Sequence, residues 1–398
     1  MYMNKQWQQK GLLLLLSLII GLLVGALDAL FGRVLLFVTD FRGQHFFYLI
    51  PFLAIAGMLF MAVYQKYGGK SLRGMGQVFL VGHEEEDEIP LRLIPFVMVG
   101  TWLSHLFGGS VGREGVAVQL GATVSNWFGR QFHLENHKSN LVVIGMAAGF
   151  AGLFQTPIAA TFFALELLVV GKLKYEVLLQ SLVASYVAST VSHSLGLEKF
   201  TFALDVPIEL TWTLFLQLIL LGILFGLTGG LFAKLLSWGK AVFQNKIPNP
   251  VKRIGIGGVV ISLCMLALYQ GRYSGLGTNL IDMSFHNETI YFYDWLLKLL
   301  LTVLTISVGF LGGEVTPLFT IGATLGIVLA HLLGLPLVFV AALGYAAVFG
   351  SATSTLLAPI FIGGEVFGFA YLPYFFIVCA VAAVFSRGQT IYSLQKHF

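Results

Sequence analysis

The sequence predicts an all-α membrane protein made of two copies of one unit, with helices that break inside the bilayer. Three observations predict it. Of 398 residues, 57% are hydrophobic and 11% charged, with a mean hydropathy of +0.86, whereas soluble domains carry about 25% charged residues. Apolar runs recur from Gly11 to Phe385 with no long polar stretch between them. The same short patterns return at a constant spacing in the second half. The runs are continuous and do not alternate at period two, so a β-barrel does not fit. A lipid bilayer is the implied surrounding, and the net charge of +4 speaks of orientation rather than of nucleic acid.

Lys5 and Lys10 precede the first apolar run and argue for a cytoplasmic N-terminus. The basic stretch Arg130, His137, Lys138 and the cluster Lys246, Lys252, Arg253 are candidates for the same side. A signal peptide could open this way, but the pattern returns mid-chain. Gly21 to Gly25 and Leu30 to Arg33 are echoed by Gly222 to Gly226 and Leu231 to Lys234. Gly21 and Gly222 lie 201 residues apart, as do Gly74-Met75-Gly76 and Gly275-Leu276-Gly277, and Gly121-Ala122-Thr123 and Gly322-Ala323-Thr324. The expected units are residues 1–204 and 205–398, split at the polar junction Asp205 to Pro207, with no soluble regulatory domain. Internal duplication in a membrane chain is the mark of transporters and channels, whose site lies between the halves near the midplane.

Glycine and proline interrupt the runs at Gly108 to Gly115, Gly149 to Pro157, Gly309 to Pro317 and Gly350 to Pro359. At ~1.5 Å per residue many segments are too short to cross a ~30 Å core. Helix ends inside the membrane are therefore expected, lined by protein or by a water-filled cavity. The stretch Phe107 to Ala122, FGGSVGREGVAVQLGA, holds the strongest signal. A glutamate at membrane depth, flanked by glycines at a helix start, is costly as mere packing. Helix N-termini offer unpaired N–H donors and partial positive charge, which makes an anion site. Here that site contains its own carboxylate, Glu114.

Gly112-Arg113-Glu114-Gly115 ahead of an apolar helix resembles the GREGP signature of the CLC family of chloride channels and proton-coupled anion exchangers. Gly74-Met75-Gly76 stands where the family has GSGIP, and Gly313 to Pro317 where it has GxFxP. Phe154 to Pro157, leading to Glu166, resembles the family's F-N-x-P helix, and Tyr392 stands at its anion-coordinating tyrosine. Met75 replaces the anion-binding serine, Gln77 and Val78 the Ile-Pro of GSGIP, and Val116 the proline of GREGP. With Glu314 and Thr316 in the second copy, this combination is similar to the bacterial fluoride/proton antiporter branch. The resemblance implies an inverted two-repeat CLC-type fold, a homodimer in a bacterial inner membrane, and exchange of fluoride for protons. The same fold also serves chloride/proton exchangers and passive chloride channels, which remain the alternative.

The resemblance also implies roles. Glu114 gates and carries the proton, Glu314 assists, and Gly74, Met75, Gly76, Val116, Val315, Thr316 and Tyr392 form the anion site. Physical chemistry agrees for Glu114, since a carboxylate competes with an anion for the same donors and gives up its claim when protonated. An ion pair with adjacent Arg113 is the rival reading, though neighbours on a helix do not face each other. Glu314 could instead cap the following helix, Thr316 could bond back to its own helix, and Tyr392 could belong to an interfacial belt. Met75 offers no hydrogen bond where serine would, which penalises chloride, or it fills a gap. The exchangers' inner proton glutamate falls on Leu167, so that route must differ here. His83 to Glu88, HEEEDE, reads as a solvated loop rather than a metal site or a membrane metalloenzyme centre. Asp294 and Lys298 read as an ordinary i, i+4 pair, and Cys264 and Cys379 as buried free thiols. No nucleophile–base pair, phosphate loop, metal spacing or cofactor motif stands out, so an enzyme is not expected.

Overall fold

The computed structural model describes residues 2–134, 137–286 and 288–398. Helices fall into two series of matching order. The first holds α1 (Tyr2–Leu49), α2 (Leu53–Tyr67), α3 (Met75–Gly82), α4 (Leu93–Leu106), α5 (Glu114–Gln131), α6 (Lys138–Phe154), α7 (Pro157–Leu167) and α8 (Leu178–Ser194). The second holds α9 (Trp212–Lys246), α10 (Pro250–Ala267), α11 (Thr278–Phe285), α12 (Asp294–Val308), α13 (Val315–Leu333), α14 (Leu337–Thr353), α15 (Leu357–Phe367) and α16 (Leu372–Phe385). Each helix of the first series has its partner about 200 positions on.

The repeat is a structural one. Gly121 packs so closely on Gly145 that a Cβ would overlap the Gly145 carbonyl oxygen, and Gly322 meets Gly344 in the same way. Bare glycine backbones let α5 lie on α6, and α13 on α14, at a distance no side chain would permit. Terminators repeat too. α6 ends at Gln155 and α14 at Ser354, both left-handed, with φ of 55° in each, and this turn stops a helix before the next begins. Within the second half, Phe319 of α13 stacks on Tyr345 of α14 with ring centroids 4.0 Å apart, and between the halves Phe154 of α6 meets Phe319 at 5.5 Å.

Among the described residues, four stretches are long and apolar enough to span a bilayer: Gly11–Tyr67, Trp212–Lys246, Pro250–Ala267 and Val315–Leu333. Others are short. α7 and α15 have 11 residues each, or ~17 Å at ~1.5 Å per residue, against a ~30 Å core. Their ends must find partners in protein rather than water. Glu365 accepts from the N–H groups of Ile158 and Ala159 at the start of α7, and Glu166 from Leu356, Leu357 and Ala358 at the start of α15. The C-terminal segment returns to pair Lys396–His397 in parallel with Val169–Val170.

Candidate functional site

The loops that follow α4 and α12 meet at two glycines 201 residues apart. Gly112 N–H donates to Gly313 O at 2.5 Å, and Gly313 N–H to Gly112 O at 2.8 Å. This reciprocal bridge is what a local twofold axis between the halves demands. It brings the start of α5, at Glu114, beside the start of α13, at Val315. Two sets of unpaired N–H groups then face one space.

The Glu114 carboxylate fills that space. It is fully buried. Its Oε2 accepts from Arg113 N and Thr316 N, each at 3.0 Å, and its Oε1 accepts from the Thr316 hydroxyl. Arg113 Nε lies 4.0 Å from Oε1, farther than the Thr316 donors, so the adjacent guanidinium is the lesser partner. Thr316 Oγ1 reaches across to the other repeat, to the Glu114 carboxylate, rather than back to its own helix, the rival use of this hydroxyl. Fluoride or any small anion would need the same short donors.

A cavity of about 510 Å³ opens beneath the first turn of α5. Gly74, Met75, Gly76, Val116, Glu314 and Tyr392 line it, with Arg73, Gln119, Lys240 and Arg253. Gly74 sits at φ 53° and ψ −126°, a conformation that glycine supplies without strain, and this turn aims the start of α3 at the cavity. Tyr392 is buried within the protein, with its ring 5.5 Å from Phe79. Glu114, Val315 and Thr316 lie behind the cavity wall, at the paired helix ends.

Glu314 occupies the N-cap position of α13 without capping it: its side chain makes no cap hydrogen bond. Instead Oε1 lies 3.7 Å from Lys240 Nζ. Lys240 carried no signal in the sequence beyond being a cation late in an apolar helix. Gln119, whose amide donates to Gly115 O at 2.8 Å, was likewise missed. A glutamine one turn into the marked helix was the available hint.

Two side-chain readings change. Asp294 and Lys298 do not pair, although both are fully buried. Asp294 takes Arg272 Nη2 at 2.7 Å and Tyr273 OH at 2.6 Å, while Lys298 donates to Ser110 Oγ, Tyr273 O and Gly275 O. Spacing put them on one helix face, but each found a better partner outside the helix. Cys379 is buried whereas Cys264 is half-buried. The loop of Glu85 to Glu88 is exposed yet organised: Glu85 pairs with Lys396, Glu86 with Lys70 and Arg73, Asp87 with Lys138, and Glu88 with Arg130.

Comparison with known proteins follows the same lines. The family model described as "Voltage gated chloride channel" matches residues 52–387. A "Chloride/fluoride channel protein" of Pseudomonas syringae pv. tomato is 36% identical over 392 residues, covering 96% of this chain and 86% of that protein. A crystal structure described as "a CLC-type fluoride/proton antiporter" shares 62% identity and a TM-score of 0.98, covering 98% of this chain and 99% of that one. A slow cyanobacterial Cl−/H+ antiporter superposes with a TM-score of 0.81 at 22% identity over 95% of each chain, a likeness of fold. With the ordered motifs, the two-repeat helical architecture and the paired helix ends, these matches make the chain a member of the voltage-gated chloride channel (CLC) family of membrane proteins.

Proposed function

We propose that this chain is a fluoride/proton antiporter that exports fluoride from the cytoplasm in exchange for protons. The observation that carries the reading is the placement of Glu114: a fully buried carboxylate occupying the donors of two facing helix starts, Arg113 N, Thr316 N and Thr316 Oγ1. Ionised, it holds those donors. Protonated, it loses its charge and yields them to an anion. One side chain then handles both substrates, which obliges them to move in opposite directions. The identity of 62% to a structure described as a CLC-type fluoride/proton antiporter supports the choice of ions.

Fluoride is small and strongly hydrated, and its desolvation must be offset by short hydrogen bonds from N–H and hydroxyl groups. Val315 supplies a backbone donor at the first turn of α13, Thr316 a hydroxyl and Tyr392 a phenol on the cavity side, while Val116, whose N–H turns back to Arg113 O at 3.2 Å, lines the path at the start of α5. Gly74, Met75 and Gly76 form the cavity-side end of the path, and the Met75 thioether withholds the donor that chloride would use. Glu314, on the cavity wall beside Lys240, receives the proton on the inner side, where Leu167 offers none.

Arg73, Lys240 and Arg253 line the cavity, and further cations gather nearby on the loop after α3. Lys70, Arg73, Arg130, Lys138 and Lys396 all meet the 85–88 loop, and Arg73 joins that loop to the cavity wall, so by the positive-inside rule this side of the cavity is assigned to the cytoplasm. The units are 1–204 and 205–398, the assembly is a homodimer with one pathway per subunit in a bacterial inner membrane, and the chain moves ions without covalent chemistry.

Flux from proteoliposomes tests the reading. A fluoride gradient should drive proton movement, and chloride should pass far more slowly. Comparable chloride and fluoride rates would remove the fluoride assignment. Glu114→Gln should abolish fluoride-driven proton movement, and proton pumping that survives the substitution would take Glu114 out of the mechanism.

A further inference from the structure

The repeat relates the open cavity to a place that is sealed. Val97, Thr101 and Gln119 line the cavity with Gly74 to Gly76. The residues 201 positions on are Lys298, Thr302, Thr320 and Gly275 to Gly277. Across the twofold at the Gly112–Gly313 bridge they lie on the opposite side of Glu114. Here the packing is close: a Cβ at Gly277 would meet Thr320 Oγ1 at 2.6 Å and Lys298 Cε at 2.8 Å, and one at Gly275 would meet Arg42 Nη1 at 2.5 Å. Lys298 Nζ donates to Gly275 O at 2.7 Å, and to Tyr273 O and Ser110 Oγ at 3.0 Å each. Ser110 Oγ is 2.8 Å from Thr302 Oγ1, and Gly275 N–H donates to Gly109 O at 2.8 Å. Thr320 Oγ1 lies 3.3 Å from Leu276 O and 3.2 Å from Gly277 O, and 3.1 Å from Thr316 O of its own helix. Lys298, Ser110, Thr302 and Thr320 are all fully buried.

A lysine ammonium at this depth is costly, and here its three protons are spent on three neutral oxygens. Asp294, the carboxylate one turn earlier, is held by Arg272 and Tyr273. Those three oxygens belong to two different loops. Ser110 lies in the first-repeat loop that runs into Gly112 and Glu114, while Tyr273 and Gly275 lie in the second-repeat loop ahead of α11. Where the inner side has valine and open space, the outer side has an ammonium that ties the gate's own loop shut.

We infer that Lys298 is a positioning residue that locks the outer counterpart of the inner cavity, so that an anion can leave outward only by displacing the Glu114 carboxylate. This rests on the antiport reading. Fixing Ser110 fixes the loop that carries Glu114, and closing the Gly275 turn removes a bypass around it. Coupling of the two ions then depends on Lys298 although it touches neither.

Lys298→Met keeps the aliphatic stem and removes the donors. In proteoliposomes it should raise the ratio of fluoride to proton flux above that of the unaltered protein, with a fluoride leak that persists when protons are in equilibrium. Lys298→Arg should restore part of the coupling. A merely structural lysine would lower both fluxes together at an unchanged ratio, and that outcome overturns the inference. Should Lys298→Met fail to assemble, Ser110→Ala, which removes one of the three acceptors, should move the ratio in the same direction; an unchanged ratio there overturns it equally. Hydrogen exchange supplies a readout independent of ions. Amides of 107–113 and 272–277 should exchange faster in Lys298→Met, and unaltered protection overturns the lock. If the unaltered protein moves fluoride with no protons, the antiport reading fails by itself, and the exchange experiment still decides the lock.

Discussion

Thr316 touches the Glu114 carboxylate twice, once through its N–H at 3.0 Å and once through its hydroxyl. The hydroxyl can be removed without the N–H by Thr316→Val, which keeps the shape. A hydrogen bond to a charged group is worth about 1.5–3 kcal/mol. Since carboxylate and anion are served by the same donor, coupled exchange should slow ~10-fold or more, at ~1.4 kcal/mol per decade, and Thr316→Ser should retain most of it. Flux measured on the two variants checks this; a valine variant exchanging at the normal rate would leave the hydroxyl without a part. At this scale the sequence was legible where one residue was anomalous by itself. Glu114 among glycines in an apolar chain could be only a site or an error. Thr316 was placed at the anion site only by the family resemblance; its partner could not be read, because Glu114 lies 202 residues away and a helical threonine has an ordinary local use. Lys298 was misread for a related reason. Spacing of i, i+4 says which side chains share a helix face, but not which groups on other elements compete for them.

Among elements, the breaks were legible and the partners were not. Glycine and proline marked where α5, α7, α13 and α15 begin, since few other residues stop a helix inside a membrane. The 85–88 loop looked like a solvated acidic run, and only folding gathers the cations. Three of its four carboxylates are held below their ordinary range, Glu85 by Lys396, Glu86 by Lys70 and then Arg73, and Asp87 by Lys138. A carboxylate whose folded value is depressed contributes stability above its unfolded value and loses it as pH falls through the folded one. The ordinary values are 4.5 for Glu and 3.8 for Asp, so these links hold at neutral pH and are released progressively below that range. They are exposed and therefore sensitive to salt, with a Debye length of ~3 Å at 1 M against ~10 Å at 0.1 M. The link to Lys396 also anchors the segment that carries Tyr392. Hydrogen exchange of 83–88 and 391–398 should quicken in ~1 M salt at neutral pH, and again on acidification below the carboxylate range. Equal protection at low and high salt would show that the Val169–Lys396 strand pairing holds the tail without the ion pairs.

For the molecule as a whole, the constant spacing of 201 announced two copies, and the folded chain adds what a copy number cannot: the copies satisfy each other's helix ends. Glu166 on α7 accepts from Leu356, Leu357 and Ala358 at 3.1, 2.8 and 3.3 Å, and Glu365 on α15 accepts from Ile158 and Ala159 at 3.1 and 2.8 Å. Glu166 was visible only as the end of a family-like helix, and Glu365 drew no notice, because a carboxylate's use as a cap for a helix in the other half has no local signature. Both α7 and α15 are too short to cross, so their first N–H groups would otherwise face an apolar surrounding without water. Glu166→Ala and Glu365→Ala should therefore each destabilise the fold by about 1–3 kcal/mol, the cost of stranding buried donors, with glutamine in either place keeping part of the loss at bay. Because α7 and α15 pack on each other, the double variant should depart from the sum of the single ones. Thermal unfolding in detergent measures all three. Similar losses at the two positions are what the twofold requires; a marked loss at Glu166 with none at Glu365 would mean that one half carries the other, and that the symmetry of the backbone does not extend to the forces that hold it.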